Sequence, residues 1–134
     1  YNTIAVDENL AILFIGTIKK YAIDAYLYVP YNSVIEIVAK ENNIKIKYEA
    51  FADRNYNDDL TLVSRAYENA MILDKEQVFQ HVHRVIKEGK VKTISGKEVK
   101  IKADTFCVHG DTKNAIEIVE YVSKKLKNHK IIVG

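Results

Sequence analysis

The sequence lacks a second cysteine, a membrane-length apolar run and a signal-peptide pattern. Cys107 has no partner in the chain for a disulfide bond, which favours a reducing compartment, and we expect a cytoplasmic protein. The longest apolar run, residues 10–15, is far shorter than the roughly 18 residues that span a bilayer. The sequence therefore predicts no membrane association.

The chain also lacks internal repeats, low-complexity tracts, linkers and a marked excess of either charge. Its net charge of +2 comes from interspersed acidic and basic residues without a basic stripe, so we expect no nucleic-acid partner. Hydrophobic residues make up 48% of the 134 residues, which is enough for a packed core, and we expect one domain over residues 1–134. Because the chain begins at Tyr1 and at once enters the run-up to a helix, we expect a fragment of a longer protein.

Apolar spacing and capping residues predict a βα pattern in the first half. Asp7 is expected to cap the first helix, Pro30 to end the first strand, and Ser33 with Glu36 to form a capping box. The predicted elements are helix 8–22, strand 25–29, helix 33–42 and strand 44–51.

The second half predicts further helices around a hairpin. Asp74 opens a helix that Gly89 ends, and Ser95-Gly96 supports a tight hairpin turn. The predicted elements after this helix are hairpin strands 91–94 and 99–101, strand 105–108, helix 113–128 and a strand at 130–133. These elements predict an α/β fold, as one piece of either a β/α barrel or a doubly wound sheet.

Two of the predicted strands run directly into polar loops. Residues 48–56 read YEAFADRNY, and residues 105–112 read TFCVHGDT and continue into an amphipathic helix. In βα architectures, functional groups stand on the loops that leave the carboxyl ends of strands. We therefore predict that these two strand ends form halves of one site.

The same segments resemble a known family. Residues 49–56 (EAFADRNY), residues 57–65 with their NDD and LVSR segments, and residues 103–112 (ADTFCVHGDT) look like the corresponding blocks of the LamB/YcsF family, in the same order and at similar intervals. The similarity covers essentially all of this chain but only about the C-terminal half of a family member. The acidic and histidine-bearing motifs of the family's N-terminal half have no counterpart here.

The resemblance implies the C-terminal half of a distorted, seven-stranded, TIM-like β/α barrel related to glycoside hydrolases and deacetylases, here with a β-hairpin excursion. It also implies the activity of 5-oxoprolinase, the ATP-dependent opening of 5-oxo-L-proline to L-glutamate, carried out with other subunits. ATP is implied by the resemblance alone, because the chain has no Gly-x-x-x-x-Gly-Lys-Ser/Thr loop. The implied partners are the other 5-oxoprolinase subunits, the missing N-terminal half of the barrel, and a second copy of the chain as a homo-oligomer.

Lactam opening needs a base near the attacking water and cations near anionic groups. We hypothesise that His109 and Asp111 form one acid/base or divalent-metal-binding corner, and that Glu49 and Asp53 form another. Each has a structural alternative. Asp111 would cap the following helix, and His109 would be a hydrogen-bonded loop residue. Glu49 would pair with Arg54 inside the barrel, and Asp53 would have a similar structural role.

Three further residues are predicted to bind substrate. Arg54 or Arg65 would bind an anionic group through bidentate hydrogen bonds, and Tyr56 would donate to an oxyanion. The alternative for Arg65 is to order its loop. His81 and His83 are not predicted to bind a metal, because residues two apart on a helix point in nearly opposite directions.

Two other functions remain open. One is a metal-dependent hydrolase or deacetylase of a carbohydrate or amide, and the other is a non-catalytic half-barrel that needs a separate N-terminal half. One departure from the family pattern bears on the loop geometry. Leu60 stands where family members usually have glycine, and because leucine disfavours a left-handed backbone, we expect a differently built turn there.

Overall fold

The structure is a computed structural model, and it describes residues 3–22 and 24–133. Four α-helices, five short strands and one 3₁₀ turn follow one another along the described chain. In order they are α1 (Glu8–Tyr21), β1 (Leu27–Val29), α2 (Val34–Glu41), β2 (Ile46–Phe51), the 3₁₀ turn (Glu68–Ala70), α3 (Lys75–Glu88), β3 (Lys90–Lys92), β4 (Glu98–Lys100), β5 (Thr105–Cys107) and α4 (Ala115–Asn128).

The chain divides into two compact units. The first comprises Tyr1–Ala50 and Lys102–Thr105, and the second comprises Phe51–Ile101 and Phe106–Gly134. The prediction of one domain over residues 1–134 stays a prediction. No helix among residues 3–22 and 24–133 is long and apolar enough to cross a membrane.

In the first unit, β1 and β2 pair in parallel, with Leu27 opposite Ile46. Helix α2 connects them, so the segment is a βαβ unit, and the prediction of an α/β fold with a parallel sheet is confirmed. The core of this unit consists of apolar side chains from α1, β1 and α2 and the approach to β2. They are Ala11, Ile15, Val29, Ile35, Val38, Ala39 and Ile44.

The predicted helix caps are present. Asp7 Oδ1 accepts the N–H of Leu10 at 3.0 Å, and Ser33 Oγ accepts the N–H of Glu36 at 3.3 Å. The Glu36 carboxylate reaches back to the N–H of Asn32, one residue before the cap. The two side chains therefore satisfy one N–H of the first turn of α2 and one N–H just before it, with a small shift from the standard pattern.

In the second unit, α3 packs against α4, and β3 and β4 form the predicted antiparallel hairpin, with Val91 opposite Val99. Gly89 ends α3 in the left-handed conformation, with φ of 61°. The core of this unit draws on the loop after β2, on the segment before α3 and on both helices. Its buried residues are Ala52, Ile72, Val78, Phe79, Val82, Ile118, Val122 and Leu126.

The strand predicted at residues 130–133 is wrong, since residues 131–133 are described and do not form one. Lys130 adopts a left-handed conformation with φ of 58°, and the N–H of Ile131 bonds the carbonyl oxygen of Leu126. The chain thus closes the end of α4, and Ile131 packs on the second core. That use of its N–H removes a donor that a strand ladder would need.

The turn at Leu60 also differs from expectation. Leu60 does adopt the left-handed backbone expected for glycine, with φ of 68°. Its N–H donates to the carbonyl oxygen of Asn57, and the N–H of Asn57 donates to the carbonyl oxygen of Thr61. The Leu60 side chain is buried. These bonds and this burial offset a conformational cost of about 1–2 kcal/mol. The expectation that leucine forces a different turn is therefore wrong.

The ends of β2 and β5 prepare the site. The two strands are neighbours in a three-stranded sheet with the order β1-β2-β5. Within the second unit, the N–H of Ala52 donates to the carbonyl oxygen of Cys107 at 2.9 Å. The residues that follow β2 therefore lie beside those that follow β5. The half-barrel itself stays a prediction.

Candidate functional site

Asp53 is the centre of the candidate site. It lies two residues after β2, and its side chain is fully buried. One carboxylate oxygen, Oδ2, accepts the backbone N–H of His109 at 3.0 Å and the hydroxyl of Thr112 at 2.5 Å. The other, Oδ1, lies 2.9 Å from Nδ1 of His109. Because a buried carboxylate needs donors around it, these three bonds fix Asp53 and the loop after β5 together.

His109 is held at its edge and at its face. The edge is bound by Asp53, and the face stacks on the ring of Phe51 with centroids 5.4 Å apart and an interplanar angle of 15°. Since an ionised carboxylate only accepts hydrogen bonds, the bonded Nδ1 carries the proton, and in the neutral ring Nε2 carries the lone pair. The side chain is 22% exposed, so it is neither sealed in the core nor free in solvent. An imidazole held this way is suited to accept a proton at Nε2.

Asp111 pairs with Arg65 and not with His109. Nη1 of Arg65 lies 2.8 Å from Oδ2 of Asp111, and about half or more of each side chain is exposed. The hydrogen bond and charge of Arg65 lower the pKa of Asp111, and the same contact raises the pKa of Arg65. Exposed pairs of this kind contribute only about 0–1 kcal/mol. The pair therefore adds little to stability and leaves a cation at the surface of the site.

The capping role considered for Asp111 is wrong. The N-cap of α4 is Asn114, which has a left-handed backbone with φ of 61° and no side-chain capping bond. Asp111 lies three residues earlier, and the intervening turn closes through a bond from the N–H of Thr112 to the carbonyl oxygen of His109. Asp111 is thus left available for Arg65.

Arg54 is buried and bonded to the backbone. Its Nε donates to the carbonyl oxygen of Ala70 at 3.3 Å, and Nη2 donates to that of Val63 at 2.6 Å. Burial is the main cause that lowers the pKa of its guanidinium, and the nearby charge of Arg65 adds to the effect. These contacts tie the loop of residues 63–70 to the segment that carries Asp53. The predicted contact of Arg54 with an anionic substrate stays a prediction.

Tyr56 and Glu49 complete the predicted residues. Tyr56 is buried, and its hydroxyl oxygen accepts the N–H of Phe51 at 2.8 Å. Its ring stacks on that of His81, with centroids 5.9 Å apart and an interplanar angle of 10°. Glu49 lies in β2, in the first unit, with a half-buried side chain. The substrate contact predicted for Tyr56 and the catalytic role predicted for Glu49 stay predictions.

Metal binding finds no ready-made ligand set in the described chain. Across residues 3–22 and 24–133, no group of three or more histidine, cysteine, aspartate or glutamate side chains is arranged to hold an ion. Nδ1 of His109 faces Asp53, and Asp111 faces Arg65. The divalent metal considered for His109 and Asp111 therefore stays a prediction.

Thr112 is the residue that sequence reasoning missed. Its hydroxyl is buried and donates to Asp53 across 59 positions of sequence. The sequence signal was present, since Thr112 closes the same polar loop as His109 and precedes α4. A hydroxyl at that point reads as a local turn or capping group, and only the pairing of the two strand ends brings it to Asp53.

The chain is similar in sequence to known proteins. The family model described as LamB/YcsF family matches residues 1–134. The chain is 41% identical over 131 residues to a protein of Campylobacter jejuni subsp. jejuni serotype O:23/36 (strain 81-176) that is named as the A subunit of 5-oxoprolinase; the match covers 98% of this chain and 51% of that protein. A Pyrococcus horikoshii protein of the same name is 39% identical, with the same coverage. The chain thus spans about half the length of the curated relatives it matches.

A solved structure agrees with the fold. The lactam utilization protein from Thermus thermophilus superposes with a TM-score of 0.88 at 28% sequence identity, covering 98% of this chain and 52% of that one. Fold and site together define an α/β protein in which an aspartate after one strand holds a histidine after the neighbouring strand. The chain belongs to the LamB/YcsF family, because the family model matches it from end to end.

Proposed function

We propose that this chain acts as a component of an ATP-dependent 5-oxoprolinase, equivalent to part of its A subunit, and that this enzyme opens 5-oxo-L-proline to L-glutamate. The names of the relatives support the substrate class, and the bonds from His109 and Thr112 to Asp53 support the chemistry. The Asp53–His109 contact is the observation that carries the proposal. We propose a cytoplasmic location and assembly with the remaining half of the barrel and with the other subunits.

His109 is the general base of the proposed reaction. Its Nε2 accepts a proton from water, and the water oxygen forms a bond to the lactam carbonyl carbon. Asp53 keeps the proton on Nδ1 and stabilises the imidazolium that forms. The ring C–N bond then breaks and its nitrogen takes up a proton. On a carbonyl whose oxygen ATP has phosphorylated, this leaves an acyl phosphate, which a second water hydrolyses to glutamate and phosphate. Removal of a general base of this type lowers turnover by about 10²–10⁴-fold.

ATP supplies the activation that a lactam lacks, because amide resonance makes its carbonyl a poor electrophile. In the proposed reaction ATP is a co-substrate whose terminal phosphoryl group goes to the carbonyl oxygen and is later released as phosphate. The chain has no P-loop, so the nucleotide contacts come from other residues or from other chains.

Arg65 is the proposed contact for the substrate carboxylate. It is about half exposed, and its present partner Asp111 holds it through a surface pair of small net energy. A substrate carboxylate can therefore replace Asp111 as the acceptor, with bidentate geometry. Arg54 and Tyr56 act in this proposal mainly by holding the loop that carries Asp53.

The test is glutamate release from 5-oxoproline by the full assembly, with and without ATP. We expect ATP-dependent release, a loss of about 10²–10⁴-fold in His109→Ala, and little change in the matched control His129→Ala, an exposed histidine at the end of α4. Release no greater than in the no-ATP control would refute the proposal.

The other outcomes separate the remaining functions. Hydrolysis that persists without ATP and stops with a chelator indicates the metal-dependent hydrolase or deacetylase. Association with a separate N-terminal half, without turnover in either condition, indicates the non-catalytic half-barrel.

A further inference from the structure

His81 is a largely buried histidine that the proposed reaction does not use. It lies on α3, and its ring forms a hydrogen bond to the backbone of Phe51. Burial lowers the pKa of His81 to about 4, so the ring is neutral at neutral pH. Its Nε2 is the buried side-chain nitrogen that has no hydrogen-bond partner within the described chain. The bonded nitrogen is therefore Nδ1, which donates to the Phe51 carbonyl oxygen.

Phe51 connects His81 to the candidate base. Its carbonyl oxygen accepts from His81, its N–H donates to the hydroxyl of Tyr56, and its ring stacks on His109. Tyr56 in turn stacks on the His81 ring. Phe51, Tyr56 and His81 thus form a closed set of contacts around the backbone of one β2 residue, Phe51, whose side chain supports the face of His109.

The two residues that hold the His109 ring lie in the same short segment. The face is held by Phe51 and the edge by Asp53, two residues later. A shift of the Phe51 backbone would move both supports together. Small misplacements of catalytic groups lower turnover strongly. The residue that holds the Phe51 backbone, His81, can therefore affect turnover by more than the energy of its own hydrogen bond.

We propose that His81 is a positioning residue for His109, acting through the backbone and ring of Phe51. The catalytic arm of this inference rests on the proposed function, whereas the geometric arm does not. A purely structural role for His81 would alter stability and leave the environment of the His109 ring unchanged.

Three variants test the proposal. His81→Leu removes the donor, and His81→Asn keeps an N–H donor near the position of Nδ1. His83→Leu is the matched control, since it makes the same change two residues away on α3, where the ring packs on Phe79. The first readout is the NMR resonances of the His109 ring in the purified chain, which need no turnover.

We expect His81→Leu to shift the His109 ring resonances, and His81→Asn and His83→Leu to leave them close to wild type. In the full assembly, His81→Leu should lower kcat about 10–100-fold, with KM within about twofold, and His81→Asn should restore most of the loss. Unchanged His109 resonances in a folded His81→Leu protein would overturn the proposal.

His81→Gln covers the case in which His81→Leu does not fold. Its side-chain amide reaches the position of Nε2 and not that of Nδ1, so the variant loses the donor to Phe51 while the side chain stays polar. The His109 resonances should shift in this variant as well, and their constancy would overturn the proposal. If the wild-type assembly releases no glutamate, the proposed function fails, while the NMR readout still decides the role of His81.

Discussion

Replacement of His81 should make the free energy of unfolding less sensitive to mild acid. Burial lowers the pKa of His81 from 6.5 to about 4. Between these two pH values the unfolded chain binds a proton at this position and the folded chain does not. The free energy of unfolding is therefore unaffected above pH 6.5 and falls as the pH drops towards 4.

The size of the effect follows from the pKa difference. At 1.36 kcal/mol per pKa unit, the full loss is about 3 kcal/mol below pH 4, and about 2 kcal/mol is already lost at pH 5. His81→Asn removes the titrating group and keeps a donor for Phe51. The variant can be less stable than wild type at pH 7, but its stability should depend less on pH.

The assay is urea denaturation of wild type and His81→Asn at pH 7 and pH 5. The stability lost between the two pH values should be smaller in the variant by roughly 2 kcal/mol. Carboxylates with lowered pKa values, such as Glu36 and Asp111, also contribute less to the free energy of unfolding in acid. Both proteins contain them, so their contributions cancel in the difference. Equal losses in the two proteins would show that His81 is not desolvated as the structure indicates.

Two further changes test the loops on either side of the site. Thr112→Val keeps the side-chain shape and removes the hydroxyl donor to Asp53, so glutamate release by the assembly should fall roughly tenfold or more, with Thr112→Ser as the control that keeps the donor; unchanged release in Thr112→Val would contradict this reasoning. Leu60→Gly should be more stable than Leu60→Ala by about 1 kcal/mol in urea denaturation, the reverse of the usual order, because both lose the side chain and only alanine keeps the left-handed strain; the usual order would contradict the positive φ.

Local signals in the sequence predicted most of the secondary structure. Asp7, Ser33 and Asp74 are the N-caps of α1, α2 and α3, and Gly89 is the left-handed C-cap of α3. Each cap interacts with residues only a few positions away, so it can be predicted from the local sequence alone. The hairpin around Ser95-Gly96 follows the same logic.

The wrong predictions concern segments whose conformation depends on contacts with distant parts of the chain. Residues 130–133 have the apolar character of a strand, but a strand needs a partner ladder, and Ile131 instead bonds and packs at the end of α4. Leu60 has an unfavourable local conformation that the bonds and burial around it offset. Neither outcome can be read from local propensity, because tertiary contacts outweigh it.

The candidate site also combines features that the local sequence predicts with contacts that only the fold produces. Residues 48–56 and 105–112 were expected to form one site because both are strand ends, and Asp53 and His109 do meet across 56 positions of sequence. The expected pairs were His109 with Asp111 and Glu49 with Asp53, each drawn from one strand end. In the structure, Asp53 instead contacts His109 across the ends of the two strands, and Asp111 pairs with Arg65.

This exchange of partners has a consequence for function. The proposed proton-handling pair takes one residue from each of the loops that follow two neighbouring strands, so it forms only when β2 and β5 are paired. Asp53 and Nδ1 of His109 are both engaged, and Nε2 is the ring nitrogen suited to act on a substrate. In the proposed reaction, the rest of the assembly must therefore present the substrate to Nε2 and bring the groups that bind nucleotide. In the proposed assembly, the described chain supplies the base, and the partners supply the activation.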